Sequence, residues 1–395
     1  MTLLLLVIIY LIYIGLGLPD STFGSSWPAI YSNLNLPVNY GNYITMLIAF
    51  CTILSSFFSA KVLNKFGTGL VTAVSTFITA LGLLGFSLSN SIIWLCICAI
   101  PLGLGAGAID AALNNYVALH YSSVHLNILH SFYGVGVALS PFLFSFMLAG
   151  SNGWRDGFKL VFFIQLALSI IAFFALPLWR KINKQLPKEE IFTPKTLSYK
   201  TMAKNSTIRA CWLAFFASCG LEFTCGHWSS TYFVSSMGAT PDKAALYLML
   251  YYIGITSGRL VFGLLSSKIS NKNIIYIGYA LVFVAILTII CPFPIYAKVV
   301  ALFLIGFGNG PMFPNTTFLI PKIFGKEVSQ SVISSAMVMC NLGILVLPPV
   351  FGIIAGTIST DLFPYYIALL YIIMVVYTII YNKRAQKNKN CFTNL

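Results

Sequence analysis

The sequence predicts an all-α membrane protein, with twelve transmembrane helices in two pseudo-symmetric six-helix bundles. Three observations predict it: the composition, a series of apolar runs, and a similarity between the two halves of the chain. Of 395 residues, 58% are hydrophobic and only 8% are charged, and the mean hydropathy is +0.88. A soluble domain carries about 25% charged residues, so this pool cannot build a water-facing surface.

A span needs about 20 mainly apolar residues. Twelve such runs lie at roughly 4–30, 43–60, 69–88, 92–118, 125–149, 157–179, 210–236, 243–266, 274–292, 296–320, 328–356 and 362–381. The first lacks a basic n-region and a small-residue cleavage site, so it reads as a retained helix rather than a signal peptide. Most connections are short. The exception is 180–209, a polar segment with two prolines and eight Lys/Arg. The expected organisation is therefore an N-terminal bundle at 1–179, a cytoplasmic linker at 180–209, a C-terminal bundle at 210–381 and a basic tail at 382–395.

Charge gives the sidedness. With both termini and the linker in the cytoplasm, 18 of the 23 Lys/Arg are cytoplasmic. Only Arg155, Lys159, Lys243 and Lys298 fall outside, and Arg259 sits within the eighth span. That bias is the positive-inside pattern. It predicts a multi-pass protein of a bacterial plasma (inner) membrane. The net charge of +14 is then topological. The tail "NKRAQKNKN" reads as an anchor on anionic lipid, and no nucleic-acid partner is expected. The nine Cys are scattered, with no CxxC and no zinc spacing, and read as small packing residues. No cofactor or metal is expected, and a monomer is.

The halves match in register. "GLPDSTFGSSW" in span 1 parallels "GLEFTCGHWSS" in span 7. "PLGLGAGAID" in span 4 parallels "LIGFGNGPMF" in span 10. "GVALSP" (136–141) parallels "GILVLP" (343–348). Such repeats in transporters place the solute site at the interface between repeats, near mid-membrane. The G-x-G-x-G runs are not a dinucleotide fingerprint, since spacing and context are wrong. Gly103/Gly107 and Gly306/Gly310 instead form GxxxG, which permits close helix contact. Pro141, Pro311, Pro314, Pro348 and Pro349 read as kinks.

Among nine acids, Asp20, Asp110 and Glu222 lie well inside spans. An ionisable group costs several kcal/mol there by any scale, and acids so placed are the usual proton relays of transporters. A group that is neutral in one state and charged in another couples a proton to a conformational change. Each acid also has a plainer reading, as a hydrogen-bonded tie between helices. Arg259, nine residues before Lys268, reads as a structural tether near the cytoplasmic end of its span. Other polar residues in spans read as a solute lining: Trp27, Asn114, Asn115, His130, Tyr133, Gln165, His227, Trp228, Asn309, Asn315 and Asn341. Amides accept and donate, and flat aromatics stack on pyranose faces, which suits a neutral hydroxylated solute. A lone Asn can equally be interhelical glue.

At these residues the chain resembles the major facilitator superfamily, and within it the fucose permease-like sugar:proton symporters. "GLPDSTFGSSWP" is similar to that family's first span with its inward-facing acid, here Asp20. "GLGAGAIDAALNNYV" resembles its fourth span, with Asp110 at the acid position and Asn114 at the Asn position. "LNILHSFYGVG" resembles its fifth, with His130 for a Gln and Tyr133 for a sugar-binding Asn. "GLEFTCGHWSSTY" resembles its seventh. In the loop "AKVLNKFGTG", Asn64 and Lys65 stand where the superfamily signature has Asp-Arg. The resemblance implies the twelve-helix fold, proton symport and a sugar-class solute. Asp20, Asp110 and Glu222 would couple the proton. Asn114 and its neighbours, with Glu222, would hold the solute. The alternative is a proton-driven efflux antiporter of drugs or metabolites, to which "GVGVALSPFLFS" bears a faint likeness without the G-P-x-x-G-G ending. An enzyme is not expected: HExxH, P-loop and nucleophile-elbow patterns are missing and the loops are too short for a catalytic domain.

Overall fold

The computed structural model describes residues 2–120, 123–150, 153–183, 197–266, 268–324 and 326–387. The middle of the expected linker (184–196) and the end of the basic tail (388–395) lie outside the described residues. The first half supplies α1 (Thr2–Asn33), α2 (Gly41–Phe66), α3 (Thr68–Ser87), α4 (Ile92–His120), α5 (Ser123–Leu148), α6 (Trp154–Phe174) and a short α7 (Leu176–Asn183). A six-residue α8 (Tyr199–Lys204) follows. The second half supplies α9 (Ser206–Ser235), α10 (Pro241–Leu265), α11 (Asn271–Ile290), α12 (Ile295–Asn309), α13 (Met312–Phe324), α14 (Lys326–Thr357) and α15 (Phe363–Lys387). Among the described residues, twelve helical segments are long and apolar enough to cross a membrane, with α12 and α13 making one of them together. These are the twelve expected spans, displaced by a few residues at their ends.

Two spans are divided, and each time a proline is at the junction; in the tenth it is Pro311, read from the sequence as a kink. The sixth ends at Phe174 rather than 179, because Pro177 has no N–H to continue the ladder and the chain restarts as α7. The tenth is broken between Asn309 and Met312, at Gly310-Pro311. In contrast, α1 runs unbroken through Pro19 and Pro28. Hydroxyls bond to carbonyls along the same stretch: Thr22 donates to that of Pro19, Ser26 to that of Thr22, and Ser21 to that of Val137, each at 2.7 Å.

By packing, the chain forms two compact units. One holds 1–188, 227–252 and 352–360; the other holds 189–226, 253–351 and 361–395. In the first unit α1 packs on α5 and α6, and α4 packs on α2 and α3. Its core gathers Leu5, Ile9, Ile12, Tyr13, Leu16, Ile109, Leu113 and Trp179. In the second unit α11 packs on α12, α13 and α15. Cores around Ile208, Phe215, Phe324 and Tyr381 close it on the α9 and α14 side.

The repeat is visible as two equivalent seams. In the first unit, a Cβ at Gly17 would meet the carbonyl of Tyr133, and one at Gly136 the carbonyl of Ile14. In the second, Gly220 faces Leu347 and Gly343 faces the carbonyl of Phe216. Gly17 with Gly220, and Gly136 with Gly343, are the positions aligned by the sequence repeat. The GxxxG glycines of span 4 behave likewise, Gly103 and Gly107 lying on the Ile48 and Thr52 carbonyls of α2.

Candidate functional site

The acids of the first unit come together through α1, α4 and α5. Residues seven apart on a helix share a face, so α1 presents Tyr13 and Asp20 to the same neighbours. The Tyr133 hydroxyl of α5 donates to Asp20 Oδ2 at 2.6 Å. The Tyr13 hydroxyl donates to Asp110 Oδ1 at 2.6 Å. Asn114 Nδ2, one turn along α4, reaches both Tyr13 Oη (2.7 Å) and Asp110 Oδ1 (2.8 Å). Tyr13 and Tyr133 rings lie 6.1 Å apart, and His130 stands edge-on to Tyr13 at 5.8 Å. Tyr13 is buried, Asp20, Asn114 and Tyr133 are half-buried, and Asp110 and His130 are exposed. Among the described residues, Asn114 Oδ1 is a buried acceptor with no partner.

Other expected residues take different positions. Trp27 is buried; its indole N–H donates to the Val38 carbonyl at 2.9 Å and its ring stacks on Phe23. Gln165 is 0% exposed, and its amide has no hydrogen-bond partner among the described residues. It packs beside Gly15 of α1, the residue above which its Oε1 sits. His227 lies edge-on to Phe23, and Trp228 is buried against Gly352. Asn341 is exposed on α14. Asn315 pairs with Asn271 at 2.7 Å, a tie between α13 and α11. The side chain of Asn115 lies outside the described residues.

A second polar cluster is in the other unit. Arg259 Nη2 of α10 donates to Glu222 Oε1 of α9 at 3.1 Å, and Nε to the Gly310 carbonyl at 3.3 Å. Asn309 Nδ2 donates to Glu222 Oε2 at 3.3 Å. The break in span 10 explains the position of the guanidinium: Asn309 ends α12, and a cation is favoured at a helix C-terminus. Among the described residues this is one of two ion pairs, the other being the exposed Lys159–Asp156.

Sequence reading missed Tyr13, which bonds both Asp110 and Asn114. The signal available was its i, i+7 spacing from Asp20. It also left Arg259 without its partner, although Glu222 and Arg259 occupy neighbouring spans.

Residues 9–348 match the Major Facilitator Superfamily. The chain belongs to that superfamily. It is a multi-pass membrane transporter rather than an enzyme. Relatives of this superfamily member include the yeast Bypass of stop codon protein 6 from Saccharomyces cerevisiae, 24% identical over 391 residues, covering 90% of this chain and 77% of that protein. A Cis,cis-muconate transport protein of Acinetobacter baylyi is 22% identical, covering 74% of this chain and 73% of its own length. A Putative glucose/galactose transporter of Helicobacter pylori is 24% identical, with 73% of each chain covered. In fold, the superfamily member is similar to the nucleoside transporter NupG, with a TM-score of 0.72, 13% identity, and 95% and 98% of the two chains covered.

Proposed function

We propose that the chain imports a sugar or similar small polar solute together with a proton, by alternating access of its two six-helix repeats, 1–179 and 210–381. Asp20 is the proton carrier in this reading. The observation that carries it is the pair of carboxylates inside one helical unit, each held by a tyrosine hydroxyl at 2.6 Å. Carboxyl groups inside spans are the usual proton relays of transporters, which supports a proton exchanged in this unit. Asp110 and Asn114 are the hydroxyl-binding partners. Asp110 is exposed, and the free Asn114 Oδ1 offers an acceptor to a solute O–H. The sugar class is supported by the resemblance of spans 1, 4, 5 and 7 and by the similarity to the Putative glucose/galactose transporter. Cytoplasmic termini in a bacterial plasma membrane, and a monomer, complete the reading.

Asp20→Asn tests it, because Asn mimics the permanently protonated acid. In proteoliposomes the variant should lose uphill, pH-driven uptake of labelled sugar while keeping counterflow, which needs no net proton release. Uphill uptake driven by a pH gradient in the variant would exclude Asp20 as the carrier. An outward flux of solute against inward protons in the parent would favour the efflux antiporter.

A further inference from the structure

The Glu222–Arg259 pair has features that a simple tie between helices does not need. Arginine binds a carboxylate best as a fork, with two parallel N–H bonds. Here the contact to Glu222 uses Nη2 alone, and among the described residues Nη1 makes no hydrogen bond. The guanidinium therefore keeps donors unspent within the span, and the Arg259 and Glu222 side chains are 25% and 19% exposed. Beside them, Asn309 spends its Nδ2 on Glu222, while its buried Oδ1 has no partner among the described residues. An amide can turn over. Its NH2 serves a carboxylate, and its oxygen serves the O–H of a protonated acid. Asn309 is thus suited to both forms of Glu222.

We propose that Glu222 and Arg259 are an exchangeable ion pair: when Glu222 takes up a proton, the guanidinium is released to a carboxylate or other planar oxyanion of the transported solute. The exchange balances. Glu222 gains H⁺ and becomes neutral, Asn309 turns its oxygen to the new O–H, and the solute's negative charge replaces that of Glu222 on Arg259. The pair is neutral before and after, so neither state leaves an uncompensated charge in low dielectric. Among the described residues, titratable groups beside Glu222 include Arg259 from α10 and Cys219 one turn back on α9, which has Cys340 of α14 as its own neighbour. Arg259 stays cationic throughout the working pH range, and the thiols carry no charge that could substitute for the carboxylate. This inference rests on the proton-coupled reading above and adds the charge of the solute to it.

The test is binding to the purified full chain in lipid nanodiscs, by titration calorimetry, with gluconate, glucose and nitrate as probes at mildly acidic and mildly alkaline pH. Gluconate should bind tighter at acidic pH by roughly 10- to 100-fold, the scale of hydrogen bonds to charged groups. Glu222→Gln should bind gluconate at both pH values as the parent does at acidic pH. Arg259→Lys keeps the charge but loses the planar fork, and should weaken gluconate without affecting glucose. Because a lone buried charge can unfold the single variants, Glu222→Gln/Arg259→Gln, which has no charge to strand, should bind no anion. Nitrate binding without gluconate binding would support the oxyanion site with an inorganic solute. Gluconate binding that ignores pH, or survives unchanged in the double variant, overturns the proposal. If glucose uptake proves proton-coupled through Asp20 while no anion binds, the pair is a tie and the earlier reading stands. If anions bind through Arg259 but protons drive no uptake, the anion site stands and the coupling reading fails.

Discussion

A carboxylate inside a span keeps its charge only where donors replace the water it has lost. For Asp20 that donor is Tyr133; for Asp110 it is Tyr13, supported by Asn114. In the function proposed above, Tyr13 acts through Asp110 as a positioning residue: it occupies Oδ1 and leaves Oδ2 for a solute hydroxyl. Tyr13→Phe removes a donor to Asp110 and an acceptor for Asn114 while keeping the ring in its buried site. We expect a loss of about 1–3 kcal/mol, or roughly 5- to 150-fold in solute affinity. The loss should fall on KM for the solute with kcat little changed, because Tyr13 bonds Asp110 and Asn114 and not Asp20. A purely structural Tyr13 would lower expression or thermal stability with KM of the surviving protein unmoved. The acids were legible in the sequence because charge in an apolar run is conspicuous. Tyr13 was not, since a tyrosine in a span is compatible with any face of the helix, and only the fold shows which face meets Asp110.

At the scale of elements, apolar run length fixes the spans, and the sixth and tenth are divided where proline acts at a helix junction. Pro177 and Pro311 stand at helix junctions, whereas α1 runs through Pro19 and Pro28. Proline alone does not announce which outcome follows. In the paired seams, Gly17 and Gly136 between α1 and α5 and Gly343 between α9 and α14 have backbone carbonyls as neighbours, and Gly220 has the Leu347 side chain. Backbone cannot swing aside as a side-chain tip can. Gly136→Val and Gly343→Val should each destabilise by about 1–3 kcal/mol, as overpacked cores do. Gly263→Val, at a position with nothing near it, should not. Thermal melts of the purified variants in one detergent compare the three directly. Equal midpoints for Gly263→Val and Gly136→Val would mean that the seam relaxes freely and that the matched glycines are incidental to packing.

At the scale of the whole molecule, the repeat divides the chain near 180–209, but packing also joins 227–252 and 352–360 of the second repeat to the first. No sequence pattern marks those contacts, because they depend on how closely particular small residues allow helices to approach. Tyr31 meets the Ser235 hydroxyl at 3.0 Å, and His227 stands edge-on to Phe23. Gly352 sits against the Asn42 carboxamide and the Trp228 ring, and Gly356 against Asn39. Under alternating access, contacts of this kind must break once per cycle, so they have to be close but free of interlocking bulk. Glycine at 352 meets that need. Gly352→Leu would drive a branched side chain into Asn42 and Trp228 and hold the segments apart. Thr45 is buried on α2, one turn inside Asn42, and in the proposed orientation it lies toward the outer face. In a Cys-depleted background, Thr45→Cys should therefore react faster with a membrane-impermeant maleimide in whole cells once Gly352→Leu is added, and sugar counterflow should slow because closure is the impaired step. Labelling of Thr45→Cys that is equally fast with glycine at 352 would show that these contacts do not seal the outer side. Labelling only from the inside of inverted vesicles would reverse the orientation derived from the Lys/Arg bias.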